Sequence, residues 1–403
     1  MLIFRFPRSQ PTFLFRPIYL TCLTILTRRH RIHHRNISLL THIRPKSTAK
    51  MTTLQPPKRY LDHINECDSF PHVDIPQLPH IADAPVDYYS LLLPSDPRPH
   101  GFIPSNVVSQ MPWTADFVVS TTGKLPRTVQ LLDTSHGSDT AAACNASFAK
   151  LIDLAQQQGL FPKTLGRKPK GEDFRVMGAL NYQGKGGLVQ MRRSAAPLFG
   201  IANRGSHMTM FTRSKETGDL KVWVPRRNRN LATYPGMLDN TVAGGVKAEE
   251  SPLECIIHES DEEASLPEDF VSKHVKAVGA VTYVTQTGSG GGQDTQSEVG
   301  GYDRGLCVSD VIYVYDLEIP AGQAETVVPK PQDDEVEQFY LWDVETVQEA
   351  MRNGEFKPNC AVVMVDFFVR HGIITEDNEA DYMEIVTRLR RPIPVPTTAT
   401  SLV

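Results

Sequence analysis

The sequence predicts an α+β fold in which β-strands are wrapped by helices. Its 403 residues are enough for two domains with a sizeable buried core. From about His207 onward, apolar and polar residues alternate, which is the pattern of half-buried strands. Other segments repeat their apolar residues every three to four positions, which is the period of a helix. The mixture of the two periods predicts a sheet with helices packed on it.

The first part of the chain is rich in proline and only weakly periodic. Short apolar runs at 88–93 and 115–120 predict small strands there. Residues 146–161 predict a helix that ends at Gly159. Residues 174–193 then predict a hairpin whose turn is the cluster from Gly184 to Gly187.

The second part of the chain carries stronger strand signals. Strands are predicted at 207–214, 220–227, 275–287, 308–319 and 334–344. In the last strand, the alternation places Glu335, Glu337 and Phe339 on one face, and Val336 and Leu341 on the other. Two helices are predicted after it, over 343–352 and over 360–370, the second with Asn359 as its cap.

A further helix begins after Ser251 for identifiable reasons. Ser251 can cap the helix, Pro252 suits its first turn, and Glu254 stands three residues after the cap and completes a capping box. At about 100° per residue, one arc of this helix is apolar or small and predicts the buried face. Its members are Leu253, Ile256, Ile257, Ser260 and Ala264.

Three carboxylates crowd an adjoining arc of the same helix. Glu259, Glu262 and Glu263 stand at i, i+3 and i+4, so they are neighbours on the helix surface. Each like-charge pair costs a few tenths of a kcal/mol when nothing neutralises it. One interpretation is a solvated acidic face, as in most charge runs. The other is a site for a divalent cation.

The N-terminus differs in charge from the rest of the chain. Residues 1–50 hold ten of the 42 Lys and Arg and none of the 46 Asp and Glu. An Arg-rich, acid-free segment with Ser and Thr is typical of a mitochondrial transit peptide. The alternatives are a disordered basic tail and a signal anchor, although the apolar run at 17–27 is short of the roughly 20 residues that span a bilayer. Met51 could also start a cytoplasmic form.

The acidic remainder argues against general nucleic-acid binding, which needs a basic face to neutralise phosphates. It also gives no reason to expect stable membrane insertion. The six cysteines are scattered without a CxxC pair, so they indicate reduced thiols and no zinc site.

The spacing of the acidic helix carries a family resemblance. From Gly244 there are five residues to Glu250, seven more to His258-Glu259, two more to Glu262-Glu263, and one more to Ser265-Leu266. This resembles the Nudix box, in which every Glu matches. Three positions differ from the family pattern: His258 replaces Arg, Ser260 replaces an apolar residue, and Ser265 replaces the closing Gly.

Further segments narrow the resemblance to one branch. The stretches around "TYPGMLDN", "VYDLEIP" and "KPNCAVVMVDFF" are similar to the fungal and plant Nudix hydrolases named after thiamin pyrophosphokinase, over about residues 59–391. The resemblance implies a Nudix α/β/α sandwich preceded by a smaller α+β domain, and no kinase domain. The expected organisation is a transit peptide or basic tail at 1–50, an extension at 51–200, the Nudix domain with its C-terminal helices at 201–391, and a tail at 392–403.

The resemblance also implies a chemistry. Members of this branch hydrolyse a diphosphate bond, with thiamin diphosphate and its oxidised or oxy analogues as the substrate class, in metabolite damage repair. A carboxylate trio suits Mg²⁺, with Mn²⁺ as an alternative, because hard cations prefer oxygen ligands. By analogy Glu259, Glu262 and Glu263 bind the metal together with the Gly244 carbonyl. Glu250 and His258 support these ligands from behind.

The remaining assignments are less constrained by the pattern. The general base is Glu259 or a carboxylate of the late strand, Glu335 or Glu337. Three arginines are candidate substrate contacts, with a solvated basic edge as the alternative, and two aromatic residues are candidate ring-stacking groups, with core packing as the alternative. These residues are Arg226, Arg227, Arg229, Trp223 and Tyr234.

Two other functions stay open from the sequence. One is hydrolysis of an oxidised nucleoside diphosphate, and the other is a Nudix scaffold that binds a coenzyme without cleaving it. The retained acidic residues favour an enzyme. The oligomeric state is not specified by the pattern.

Overall fold

A mixed sheet of six strands forms the centre of the second part of the chain. In the computed structural model its order is β10-β11-β7-β8-β12, and β9 pairs with β7. The strands are β7 Asn203–Arg213, β8 Leu220–Arg227, β9 Val242–Gly245, β10 Lys276–Gln286, β11 Cys307–Ile319 and β12 Val336–Asp343. β7 and β11 run parallel, and the other pairs are antiparallel.

The structure describes residues 56–72, 88–120, 127–166, 172–182, 187–288, 302–320, 323 and 326–399. The predicted targeting segment at 1–50 and the Gly184 turn lie outside these residues. Among the described residues, no helix is both long enough and apolar enough to cross a membrane.

Helices cover both faces of this sheet. The helices are α6 Pro252–Ala264 and α7 Glu268–His274 on one face, and α1 Tyr60–Cys67, α8 Val344–Arg352, α9 Pro358–Arg370 and α10 Tyr382–Arg388 on the other. Successive residues of β7 serve the two layers, since Met210 packs with α6 and Phe211 packs with α9. The α+β prediction is therefore confirmed, with three layers in helix, sheet, helix order.

A second sheet and its helices lie in the residues before 201. The strands are β1 Tyr88–Leu92, β2 Pro99–Pro104, β3 Phe117–Ser120 and β4 Thr128–Leu131, in the order β2-β1-β4-β3. A two-stranded hairpin follows, β5 Asp173–Arg175 and β6 Gln190–Arg192. The helices of this part are α2 Ser105–Gln110, α3 Thr140–Gln157, α4 Pro162–Leu165 and α5 Ala196–Phe199.

The core of this first part continues into the second. Leu306 and Val308 of the β11 region are buried in the same cluster as Phe148 and Phe199. Residues 55–403 form one compact unit. The division at residue 200 stays a prediction.

Three local predictions are wrong, for physical reasons. α9 begins at Pro358 behind Lys357, and Asn359 is inside the helix, because Pro is well suited to the first helical position. Leu253 is 42% exposed, so the buried arc of α6 begins one turn later than predicted. In β12 the register shifts between Val336 and Gln338, and this irregularity breaks the alternation so that Val336 and Phe339 are both buried.

Candidate active site

The start of α6 is fixed by reciprocal hydrogen bonds. Ser251 Oγ accepts from the backbone N–H of Glu254 at 3.2 Å, and the Glu254 carboxylate accepts from the backbone N–H of Ser251 at 2.8 Å. This is the predicted capping box, with Pro252 in the first turn. The cap sets where the helix begins, and therefore which side chains face β9.

Two of the three carboxylates meet the end of β9. Glu263 is 8% exposed, and its Oε2 accepts from the backbone N–H of Ala243 at 3.3 Å. Glu259 is partly buried against Gly244, where an added Cβ would lie 2.4 Å from the Glu259 Oε1 atom. Glu262 is exposed. Only glycine at position 244 allows Glu259 to come this close to the strand.

The buried carboxylates lack a cationic partner. Burial, and then the charges of Glu262 and Glu335, raise the pKa of Glu259 to about 7. Burial, and then the charge of Glu259, raise the pKa of Glu263 well above its ordinary value. Lys247 opposes the shift at Glu259, but within the described ranges neither carboxylate forms an ion pair. The arrangement therefore favours binding of a cation.

The side chains are not already gathered as a metal cage. Within the part of the chain that the structure describes, no group of three His, Cys, Asp or Glu side chains is placed to hold a metal ion. Glu263 is instead turned to the backbone of Ala243. Binding of one ion by all three carboxylates therefore requires side-chain rearrangement.

Glu250 and His258 form a pair beside this group. His258 Nδ1 lies 2.8 Å from Glu250 Oε1, and the Glu250 side chain is only 10% exposed. The backbone N–H of Lys247 also donates to Glu250 Oε2, at 3.4 Å. The imidazole thus occupies the place of a cationic side chain next to a nearly buried carboxylate.

The two late-strand carboxylates have different surroundings. Glu335 precedes β12, and its charge raises the pKa of both Glu259 and Glu263. Glu337 is exposed, and its Oε2 accepts from Arg229 Nε at 3.2 Å. Of the two late-strand candidates for the base, Glu335 is the one whose charge acts on the helix carboxylates, and Glu259 is the third candidate.

The three predicted substrate arginines already have carboxylate partners. Arg226 pairs with Glu355 at 3.2 Å, Arg227 with Asp239 at 2.9 Å, and Arg229 with Glu337 at 3.2 Å. The Arg227 side chain is 12% exposed and that of Arg229 is 75% exposed. Arg227 therefore lies in the interior, and Arg229 matches the alternative of a solvated basic edge.

The two candidate ring-stacking residues also lie in different environments, one in the core and one in a loop. Trp223 is 8% exposed and packs with Met208, Met210 and Ile256 in the core between the sheet and α6. Core packing, the alternative interpretation, describes its position. Tyr234 lies in the loop between β8 and β9, partly exposed, with a left-handed φ of 50°.

No family model matches the chain. Nudix hydrolases 20 and 24 of Arabidopsis thaliana, both named chloroplastic, are 35% and 32% identical to it over 204 residues, which is 50% of this chain and 48% and 49% of theirs. The chain is a homologue of the Nudix hydrolases.

Two further similarities were found. An uncharacterized protein of Saccharomyces cerevisiae is 40% identical over 209 residues, 52% of this chain and 58% of that protein. A crystal structure from Deinococcus radiodurans is 16% identical with a TM-score of 0.30, and the match covers 55% of this chain and all of that one. The chain spans about half the length of the curated relatives that it matches.

The departures from the Nudix box have visible structural settings. Ser265 ends α6 in the left-handed conformation, φ 52° and ψ 34°, where glycine has the lowest steric cost. Its Oγ lies within donor distance of the Lys330 carbonyl, at 3.2 Å, and of Gln332 Oε1, at 3.0 Å. Ser260 is fully buried where the box has an apolar residue, and its Oγ has no hydrogen-bond partner among the described residues.

The sequence did not single out a buried polar network behind the Nudix box. Asp239 accepts from Arg227 and from the Cys360 thiol at 2.6 Å, and Lys357 Nζ lies 3.6 Å away. Burial alone would raise the pKa of Asp239, but Lys357 and Arg227 lower it to about 2. The network ties the loop before β9 to the start of α9. No periodicity marks it, because its members come from the end of a strand, a loop and the start of a helix.

The sequence also did not predict a cleft beside the box. It has a volume of about 670 Å³ and is lined by residues of the β5–β6 hairpin and of the start of α6. Glu172 and Gln190 come from the hairpin side, and Lys247, Glu250 and His258 from the box side. Residues before 201 therefore border the Nudix box directly.

Proposed function

We propose that the chain is a Mg²⁺-dependent Nudix hydrolase that cleaves a diphosphate bond. The observation that carries this proposal is the position of Glu259, partly buried, and Glu263, buried, at the Gly244–Ala243 end of β9 without an ion-pair partner among the described residues. Two like charges withdrawn from water are costly unless something positive compensates them. A divalent cation bound with the diphosphate brings that compensation.

The donor set fits a hard divalent cation. The Gly244 carbonyl and the carboxylates of Glu259, Glu262 and Glu263 are oxygen ligands, which Mg²⁺ and Mn²⁺ both accept. Glu250, paired with His258, lies behind them. When bound, the metal masks phosphate charge and lowers the pKa of a coordinated water.

Residues of the protein have the remaining roles in catalysis. Glu335 comes from a separate element and is the better placed of the late-strand carboxylates to accept the proton of the attacking water. The Glu250–His258 pair fixes one side of α6 so that the ligand carboxylates keep their orientation. Gly244 keeps the strand close to Glu259.

Thiamin diphosphate and its oxidised or oxy analogues are the proposed substrates, with the monophosphate and phosphate as products. The support is the resemblance of the segments outside the box to the thiamin-related branch. An oxidised nucleoside diphosphate is the alternative substrate, and binding without cleavage is the alternative to catalysis.

A substrate panel tests the proposal. Purified protein is incubated with Mg²⁺ and thiamin diphosphate, oxythiamin diphosphate, an oxidised guanosine diphosphate or ADP-ribose. Phosphate release is followed for the three terminal diphosphates, and AMP formation is followed for ADP-ribose. We expect the thiamin compounds to be cleaved with the highest kcat/KM, and chelation of Mg²⁺ to abolish cleavage. If only a nucleotide is cleaved, the substrate is a nucleotide and not a thiamin compound. If a compound binds tightly and none is cleaved, the protein is a binding scaffold and not an enzyme.

We also propose import into mitochondria with removal of roughly the first 45 residues. The acid-free, Arg-rich segment supports it, and the names of the two plant relatives indicate organellar targeting in those proteins. A C-terminally tagged chain should co-purify with mitochondria as a shortened form. A tagged chain that stays cytosolic at full length would contradict import.

A further inference from the structure

Arg193 belongs to the segment before the Nudix domain, yet it lies on the Nudix box. It follows β6 in a 3-10 turn at Arg193–Ala195. A Cβ added to Gly245 would lie 2.9 Å from Arg193 Cζ and 3.0 Å from both Nη1 and Nη2. Nearly equal distances to three atoms of one plane mean that the guanidinium stacks face-on over Gly245. A side chain at position 245 would displace it.

Three contacts hold this guanidinium in place. Its Nη1 donates to Glu172 Oε2 at 2.6 Å, and the Arg193 backbone N–H donates to the Glu172 carbonyl at 3.0 Å. Its Cζ lies 5.2 Å from the ring centroid of Phe174, a cation–π contact. The side chain is nonetheless 43% exposed, and among the described residues Nη2 donates no hydrogen bond. Arg193 thus offers donors from a fixed position.

Arg193 and the candidate active site both contact one short strand, β9. Gly244 contacts Glu259 and the next residue, Gly245, contacts Arg193. Successive residues of a strand point to opposite faces, so Arg193 and Glu259 lie on the two sides of the end of β9. Glu172, the partner of Arg193, lines the cleft that opens on Glu250 and His258.

The negative charge of the site makes a nearby cation useful for binding a polyanion. The carboxylates at the box repel a polyanion, and the terminal nitrogens of Arg226 and Arg227 already donate to protein oxygens. Among the described residues, Arg193 Nη2 donates no hydrogen bond, and its partner Glu172 lines the cleft with Glu250 and His258. A planar guanidinium with free in-plane donors suits a phosphate oxygen.

We propose that Arg193, contributed by the segment before the Nudix domain, binds an anionic oxygen of the diphosphate substrate and so determines specificity for diphosphates. This inference rests on the proposed function for the identity of the substrate. It also gives Gly245 a role, because this residue is the surface on which the guanidinium lies.

Arg192 provides a matched control. It is the adjacent arginine, but it points to α3, where its Nη2 pairs with Asp153 at 2.6 Å and its Nη1 donates to Gln156 at 3.0 Å. Arg193→Ala should raise KM for thiamin diphosphate about tenfold and leave kcat within about twofold, because the contact is made in ground and transition states alike. Arg192→Ala should change neither constant.

Binding is measured independently of turnover by calorimetry with imidodiphosphate, a pyrophosphate analogue that resists hydrolysis, in the presence of Mg²⁺. Arg193→Ala should weaken its affinity about tenfold, and Gly245→Ala should do the same because its Cβ meets the guanidinium. The two changes combined should be no worse than either alone, since both remove one contact. Arg193→Lys, which keeps the charge without the planar stack, should be intermediate, and it covers the case in which Arg193→Ala unfolds.

The outcomes separate this inference from the proposed function. If the wild type cleaves thiamin diphosphate and Arg193→Ala has the same KM and the same imidodiphosphate affinity, the role of Arg193 is wrong. The proposed function is then unaffected. Absence of turnover in the wild type, with imidodiphosphate affinity that depends on Arg193, overturns the function and supports the anion contact. A wild type that binds no imidodiphosphate overturns the inference.

Discussion

His258 Nδ1 lies 2.8 Å from Glu250 Oε1, at the position where the Nudix box has an arginine. The pair keeps the contact between a basic residue and the first Glu of the box, but with an imidazole in place of a guanidinium. Its carboxylate partner is almost buried, whereas the imidazole is half exposed. The histidine should therefore support Glu250 less strongly than an arginine would.

His258→Arg should raise the rate of diphosphate hydrolysis a few-fold, because an arginine is always charged and donates several hydrogen bonds from one plane. The gain is limited to about 1 kcal/mol or less, because an imidazole still donates one hydrogen bond. The measurement is kcat at saturating Mg²⁺, with His258→Gln as a control that carries no charge. A His258→Arg variant slower than wild type would show that the histidine is adapted to its site.

Gly244→Ala should reduce kcat on the order of a hundredfold while the protein stays folded. Its Cβ would lie 2.4 Å from Glu259 Oε1, so the carboxylate must move, and a displacement of about 1 Å at a catalytic group has an effect of this size. Gly205→Ala on the neighbouring strand is the control, since the closest atom to its Cβ is 3.6 Å away. Equal kcat values for the two variants would remove Glu259 from the active site.

Ser265→Gly should be more stable than Ser265→Ala by about 1 kcal/mol, because residue 265 has φ 52° and glycine reaches this region without steric cost. Both variants lose the hydroxyl contacts to Lys330 and Gln332, so their difference isolates the backbone. Denaturant unfolding of the two variants measures it. If the alanine variant is as stable as the glycine variant, the left-handed end of α6 is not strained.

The stability contributed by His63 should be lost as the pH falls. Burial, and then the charge of Lys58, lower the pKa of His63 to about 4. Since this folded-state pKa is below the ordinary value of about 6.5, the unfolded chain binds more protons between these pH values. The contribution is complete above pH 6.5 and falls by about 3 kcal/mol by pH 4.

His63→Gln isolates this effect, because a glutamine amide can still donate to the Met351 carbonyl that His63 Nε2 contacts at 3.1 Å. The pH dependence of the variant must be subtracted from that of the wild type, because other groups also titrate. Burial raises the pKa of Asp310 to about 7, and a raised carboxyl pKa changes the free energy of unfolding in the opposite direction. The unfolding free energies of wild type and variant should converge as the pH falls from 7 to 4. A constant difference over this range would contradict the buried neutral histidine.

The sequence predicted β8, β10, β11 and the start of α6 well, because their signals are local. β8 has its predicted bounds, Leu220–Arg227, and the capping box at Ser251 is formed by adjacent residues. Long alternating segments predicted β10 and β11 within a residue or two. These elements are specified by periodicity that the chain itself displays.

Relationships between distant segments could not be predicted in this way. The pairing of Arg227 with Asp239, the burial of Trp223 and the position of Arg193 on Gly245 all depend on how separate elements pack. The sequence does not show whether the side chain of a Trp or an Arg lies in a core, at a surface edge or in a binding site. The irregularity after Val336 similarly leaves no sign in the pattern of β12.

The most direct test of a metal site on α6 is the rate of phosphate release from thiamin diphosphate at saturating Mg²⁺ by four proteins. They are the wild type, Glu262→Gln, Glu263→Gln and Asp261→Asn, which removes a charge from the same turn of α6 outside the trio. We expect each Glu variant to be slower by at least about a hundredfold, or roughly 2.7 kcal/mol, and Asp261→Asn to stay within about twofold of wild type. Glu variants that turn over at the wild-type rate, or an Asp261→Asn variant as slow as they are, would contradict a metal site on this face of the helix.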